Sequence, residues 1–256
     1  MTVFIDMRTL IFIFLLLLLP QEDEYKWGIP TSKGIDNYIE RNQYQFVIDY
    51  QNFIDDTLIY EPFISTDDIS DYVGMTENTA GFFERPDNIV ISNDTKYMDY
   101  ELSRWSDDRM QRYRGNNMFV KGVVMHELTH AYFYQVMMIA QYEKDLEYEW
   151  RQGLRMIPVD NYYTQFMEEG FCEAVAVMMG EIIPYPDGLG ISKADLSPTK
   201  RKTYEVKYVY SSKFVKPIID EFGLKHAIYL VISNRPPSKE EILSPKTYYD
   251  RLKWNP

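Results

Sequence analysis

Residues 126–130 read His-Glu-Leu-Thr-His, in a chain with only three histidines. Histidines four apart fall on one face of an α-helix, so both imidazoles can address one metal ion. The glutamate between them, Glu127, then projects beside the metal position, where it can act on a water molecule. The flanks suit that use. Asn117 to Met125 and Ala131 to Met138 carry no proline and set apolar residues on nearly every helical face. Such a helix is a buried one. Gly122 lies within it and costs helix stability, which a close approach of helix to sheet would account for.

Two histidines do not complete a zinc site, which needs a third protein ligand. The segment Gln165 to Met179 predicts a second helix, with Glu168, Glu169 and Glu173 ahead of a long apolar run. Carboxylates in a buried helix are costly unless paired or bound to metal. Glu169 is the candidate ligand. Glu173, one turn on and on the same face, is the candidate acceptor for the far nitrogen of a ligand histidine. Cys172, the single cysteine, allows no internal disulfide. In an apolar helix it reads as buried packing.

These residues resemble the gluzincin metallopeptidases, which carry H-E-x-x-H on one helix and a zinc-binding glutamate on a second. Glu168-Glu169-Gly170-Phe171 resembles the N-E-G-F segment that holds this glutamate in zinc aminopeptidases and related families. The resemblance implies a zinc peptidase with His126, His130 and Glu169 as ligands and Glu127 as general base and acid. Zinc would lower the pKa of a water and polarise the scissile carbonyl. Glu127 would take the proton of the water and pass it to the leaving amine. Glu169 lies farther from His130 than in compact members of the group, so His226 and Asp160 remain alternatives for the third ligand. The run Tyr210 to Val215, followed by Glu221 to Leu224, resembles the C-terminal helices of these enzymes. Several of them place there a tyrosine that donates to the oxyanion. Tyr210 is the candidate and Tyr208 the reserve, and His226 is a further donor to weigh.

The resemblance also implies a zincin-like α+β fold, in which a small upper β-sheet packs on the metal-binding helix and a mainly helical C-terminal subdomain follows. Ala80 to Asn93 fits that sheet: two apolar runs flank a turn at Pro86-Asp87-Asn88, which is a hairpin pattern. In such a fold an edge strand can pair with an extended peptide substrate. Upstream, Ile35 to Leu58 predicts a helix, with Ile35, Tyr38, Ile39, Phe46, Tyr50, Phe53 and Ile54 near helical period. Downstream, Tyr204 to Asn234 predicts helices interrupted at Gly223, and 235–241 predicts a turn and a short helix start. Gln141 to Tyr163 reads as a surface excursion. Pro158, Pro184, Pro186, Pro198, Gly188 and Gly190 mark loops.

At 256 residues, 45% hydrophobic and 16% aromatic, the chain is long enough for one sizeable core. We expect a leader at 1–20 and a single metallopeptidase domain over 21–256. The net charge of −12 argues against nucleic acid as a partner and leaves a peptide or protein substrate. Leu10 to Leu19 is an apolar run after Arg8 and before Pro20. Its length suits a signal-peptide core better than a full membrane span. No small-x-small site follows, so an uncleaved anchor is as consistent as a cleaved signal. Either way the expected location is extracytoplasmic, secreted or membrane-anchored.

The expected activity is that of an exported zinc endopeptidase. Gly74-Met75-Thr76-Glu77-Asn78 echoes the G-x-M-E-N motif of zinc aminopeptidases, with the methionine out of place, and keeps aminopeptidase as an alternative. A catalytically silent binding module on the same fold would carry a degraded pentad, whereas this one is intact. The SprT-like intracellular zinc proteases that act at DNA share H-E-L-x-H, but the acidic charge and the exported start oppose that reading.

Overall fold

The structure, a computed structural model, describes residues 25–26, 29–69, 72, 79–94, 117–146, 162–180 and 205–254. Several expectations lie outside the described residues: the apolar run 10–19, the aminopeptidase echo 74–78, Asp160, and the loop prolines and glycines at 158 and 184–198.

After a short pairing of β1 (Tyr25–Lys26) with β2 (Ile29–Pro30), helix α1 (Ser32–Ile54) begins. Thr31 caps it, its hydroxyl accepting from the Gly34 N–H at 3.1 Å, which satisfies one of the unpaired first-turn donors. Asp55, at φ 50°, turns the chain out of the helix. The helix therefore starts and stops earlier than its hydrophobic period predicted, and Leu58 is buried beyond its end. Ile35, Ile39, Phe46, Val47 and Tyr50 form its inner face, whereas Phe53 is partly exposed.

The expected hairpin is present: β4 (Gly81–Glu84) pairs antiparallel with β5 (Asn88–Ser92), with Phe82 opposite Val90. The turn falls at 85–87, one residue earlier than expected. A third strand, β3 (Phe63–Asp67), pairs in parallel with β5 and completes the order β3-β5-β4. No sequence pattern announced it, because Phe63 is exposed and only Ile64 is fully buried. Ile89, Val90 and Ile91 of the central strand are buried, as expected for a strand covered on both faces.

Helix α2 (Met118–Leu146) lies on β4 and β5. It is buried on almost every side from Val120 to Val136, in line with its all-round apolar sequence. The close approach of helix to sheet is made from the strand. A Cβ on Gly81 would stand 3.0 Å from Val123 Cγ1 and 3.2 Å from the Val90 carbonyl oxygen. Gly122 is simply buried. This contact fixes α2 against the sheet one turn ahead of His126. The expected excursion from Gln141 begins instead as helix, since α2 runs on to Leu146.

Helix α3 (Tyr162–Met178) packs against α2 and against α4 (Ser211–Phe222). A π-helical stretch, Glu205–Tyr210, feeds directly into α4. Gly223, at φ 72°, separates α4 from α5 (Leu224–Ser233), a conformation that favours glycine. The short α6 (Lys239–Leu243) starts with a capping box of Ser238 and Glu241, and α7 (Pro245–Trp254) ends the described chain. The fold is thus mixed α+β, mainly helical with a small three-stranded sheet. Its core runs continuously from α1 and the sheet through α2 and α3 to α4, α5 and α7. Among the described residues no helix is long and apolar enough to cross a membrane.

Candidate metal centre

Helix α2 sets the rings of His126 and His130 with centroids 5.1 Å apart, the consequence of their four-residue spacing. Helix α3 faces them with Glu168, Glu169, Cys172 and Glu173, which share one side because 168 and 172, like 169 and 173, are a helical turn apart. The Nε2 atoms of both histidines point at one carboxylate oxygen: Glu169 Oε2 is 3.2 Å from His126 Nε2 and 3.6 Å from His130 Nε2. Each Nδ1 is met by a different carboxylate. Glu173 Oε2 lies 3.3 Å from His126 Nδ1, and Glu168 Oε1 lies 2.9 Å from His130 Nδ1. The expected ligand trio and the expected partner of a ligand histidine are therefore together.

The electrostatics follow from burial. Burial disfavours charge on His126, yet Glu169 and Glu173 outweigh it and lift its pKa to about 9. Burial opposes charge on His130 as well, but Cys172, Glu168 and Glu169 raise its pKa well above the ordinary range. Glu169 shows the reciprocal effect: burial would raise its pKa, and the two imidazoles hold it well below the usual carboxylate range. The imidazoles and the carboxylates thus favour one another's charged forms. Glu127 is only 6% exposed. Burial raises its pKa, partly countered by His130 and His126, which is the direction a general base and acid needs to work near neutrality.

Three neighbours were not legible in the sequence. Lys207, on the π-helical stretch, binds the other oxygen of Glu169 at 2.6 Å. Glu168 engages His130 rather than solvent. Cys172 is buried as expected, but it is also part of the site. His126, His130 and Cys172 each bring a donor atom within 4.8 Å of the others, a cluster that could hold a metal ion. Burial pushes its thiol up to about 12. Two donor sets therefore share the histidines, one completed by Glu169 and one by Cys172. Glu169 Oε2 stands 3.2 and 3.6 Å from the two Nε2 atoms, and the donor atoms of the cysteine set lie within 4.8 Å of one another. Two imidazoles and a carboxylate form a donor set that zinc accepts, and the thiol beside them is compatible with it.

The tyrosine assignment needs correction. The Tyr210 hydroxyl donates to the carbonyl of Ile242 at 3.0 Å, and its ring packs 6.4 Å from that of Phe166. The reserve, Tyr208, is at the site, its ring 5.9 Å from that of His126. Burial, Glu169 and Glu127 together keep its hydroxyl protonated far above the ordinary range. The two tyrosines sit two residues apart on one π-helical stretch, so their side chains leave it in different directions. His226 is not brought to the site: it is exposed on α5, stacked on Tyr229 with centroids 6.4 Å apart. Asp160 lies outside the described residues.

No family model, curated protein or solved structure matches this chain.

Proposed function

We propose that this chain is a zinc-dependent peptidase of the gluzincin kind on a zincin-like fold, with His126, His130 and Glu169 as the metal ligands. The observation that carries the reading is the convergence of two Nε2 atoms, at 3.2 and 3.6 Å, on one oxygen of Glu169, with Glu127 buried on the same helix. When bound there, zinc would activate a water and polarise a carbonyl. Glu127 takes the proton of the attacking water and delivers it to the leaving amine. Tyr208, still protonated, donates a hydrogen bond to the developing oxyanion. Strand β4 runs beside α2 and bounds the three described strands, which suits pairing with an extended peptide. We place the activity outside the cytoplasm on the strength of the apolar run 10–19, and we favour an endopeptidase over an aminopeptidase. A peptide with a blocked amino terminus separates these two, since only an endopeptidase cleaves it.

The test is zinc content and peptide hydrolysis of the purified protein beside Glu169→Ala and Glu127→Gln. We expect about one zinc per chain, lost or greatly weakened in Glu169→Ala. Glu127→Gln should keep the metal and lose activity by roughly 10²- to 10⁴-fold. Zinc retained in Glu169→Ala would pass the third position to Cys172. Zinc absent from the wild type, or hydrolysis by Glu127→Gln at the parent rate, would overturn the reading.

A further inference from the structure

Two consecutive glutamates hold opposite nitrogens of one imidazole. Glu168 Oε1 lies 2.9 Å from His130 Nδ1, and Glu169 Oε2 lies 3.6 Å from His130 Nε2. Neighbours on a helix diverge by about 100°, so two consecutive carboxylates reach one ring from its two sides. His126 has the matching pair, Glu173 on Nδ1 at 3.3 Å and Glu169 on Nε2 at 3.2 Å. We propose that Glu168 is a positioning residue of the metal centre, which fixes His130 as an Nε2 donor by accepting a hydrogen bond from its Nδ1–H. The inference rests on the metal-site reading above.

The chemistry is that of a neutral imidazole, which carries one N–H and one lone pair. The nitrogen facing a carboxylate keeps the hydrogen, so the lone pair is left on the other nitrogen. Glu168 thus selects the tautomer and holds the ring plane, and its charge makes the opposite nitrogen a stronger donor. Outer carboxylates of this kind are worth about 10- to 100-fold in metal affinity. Orientation and charge act in the same direction here, so the sign of the effect is fixed. The Glu168 side chain is 20% exposed, and that of Glu173 only 5%. Removing Glu168 therefore disturbs the core less than removing Glu173 would.

Zinc affinity is measured by competition with a chromophoric chelator for the wild type, Glu168→Ala and Glu168→Gln. We expect Glu168→Ala to bind about 10- to 100-fold more weakly. Glu168→Gln should fall between the two, because its amide oxygen still accepts. The metal-free variants should still unfold cooperatively, with a melting temperature lowered only by the lost Glu168–His130 pair. The zinc-loaded wild type should also show a slowly exchanging His130 Nδ1–H resonance by nuclear magnetic resonance, and exchange should quicken in Glu168→Ala; a purely structural role would not move that signal. Should Glu168→Ala fail to fold, Glu168→Gln carries both readouts. A wild type that binds zinc beside a folded variant that binds it equally well overturns the inference alone. A wild type that binds no zinc overturns the metal site and the inference with it.

Discussion

Gly170 lies directly against the backbone of Ser211: a Cβ on Gly170 would stand 2.8 Å from the Ser211 carbonyl oxygen and 2.9 Å from its carbonyl carbon. This contact brings α3 up to the junction between the π-helical stretch and α4. It thereby sets Lys207 and Tyr208 beside Glu169 and the histidines. Ser211 is itself tied back, its hydroxyl donating to the Lys207 carbonyl.

Gly170→Ala tests that contact. Inside a helix, alanine normally gains up to about 1 kcal/mol over glycine. Here the added carbon meets backbone, which cannot rotate away, and overpacking of this kind costs roughly 1–3 kcal/mol. The clash should win. We expect a net loss of stability, seen as a lower melting temperature in thermal unfolding, together with weaker zinc binding. A variant as stable as the parent would show that the helices separate freely.

Tyr208 and Tyr210 should separate by readout. Tyr208→Phe removes the donor beside His126 and should lower kcat by up to about 10²- to 10³-fold with the metal retained. Tyr210→Phe removes the bond to Ile242, should cost about 1 kcal/mol of stability, and should leave kcat near the parent value. Steady-state kinetics and urea unfolding of both variants decide it. The reverse pattern would return the oxyanion role to Tyr210.

Glu241 should dominate part of the acid limb of stability. Its carboxylate sits between Arg235, at 2.8 and 3.0 Å, and Arg251, at 2.8 Å, and accepts from the Ser238 N–H at 2.8 Å. Burial would raise its pKa, but Arg251, Ser238 and Arg235 together lower it from 4.5 to about 2. A group depressed in the folded state binds its proton more readily when unfolded, so stability falls as pH falls. The contribution, on the order of 2–3 kcal/mol, is full above the unfolded value and lost between about pH 5 and pH 2. Urea unfolding of Glu241→Gln across that window should show lower stability at pH 7 and a shallower acid decline. Parallel curves for variant and parent would remove Glu241 from the account.

Much of the site could be read from local spacing. His126, Glu127 and His130 share a helix, and Glu169 and Glu173 share another. A helix places its own residues relative to one another whatever it packs against. The all-round apolar flanks of the pentad likewise announced a buried helix. The hairpin was legible for a similar reason, since its partner strands are joined by a few residues of turn.

The remainder depended on packing between segments distant in the chain. Strand β3 exists because β5 offers it a free edge, and nothing in Phe63–Asp67 states that. Glu168 looked equivalent to any solvated acid until α2 and α3 came together and placed His130 over it. Tyr208 and Tyr210 belong to one short run, and only the docking of the π-helical stretch on α3 decided which would face His126. Cys172 carried no sign in its neighbours of the histidines beside it. The sequence by itself determined the reactive groups and their order on each helix, because backbone geometry is local. The tertiary structure alone decided which of those groups meet across helices, because that rests on close contacts such as Gly81 with Val123 and Gly170 with Ser211.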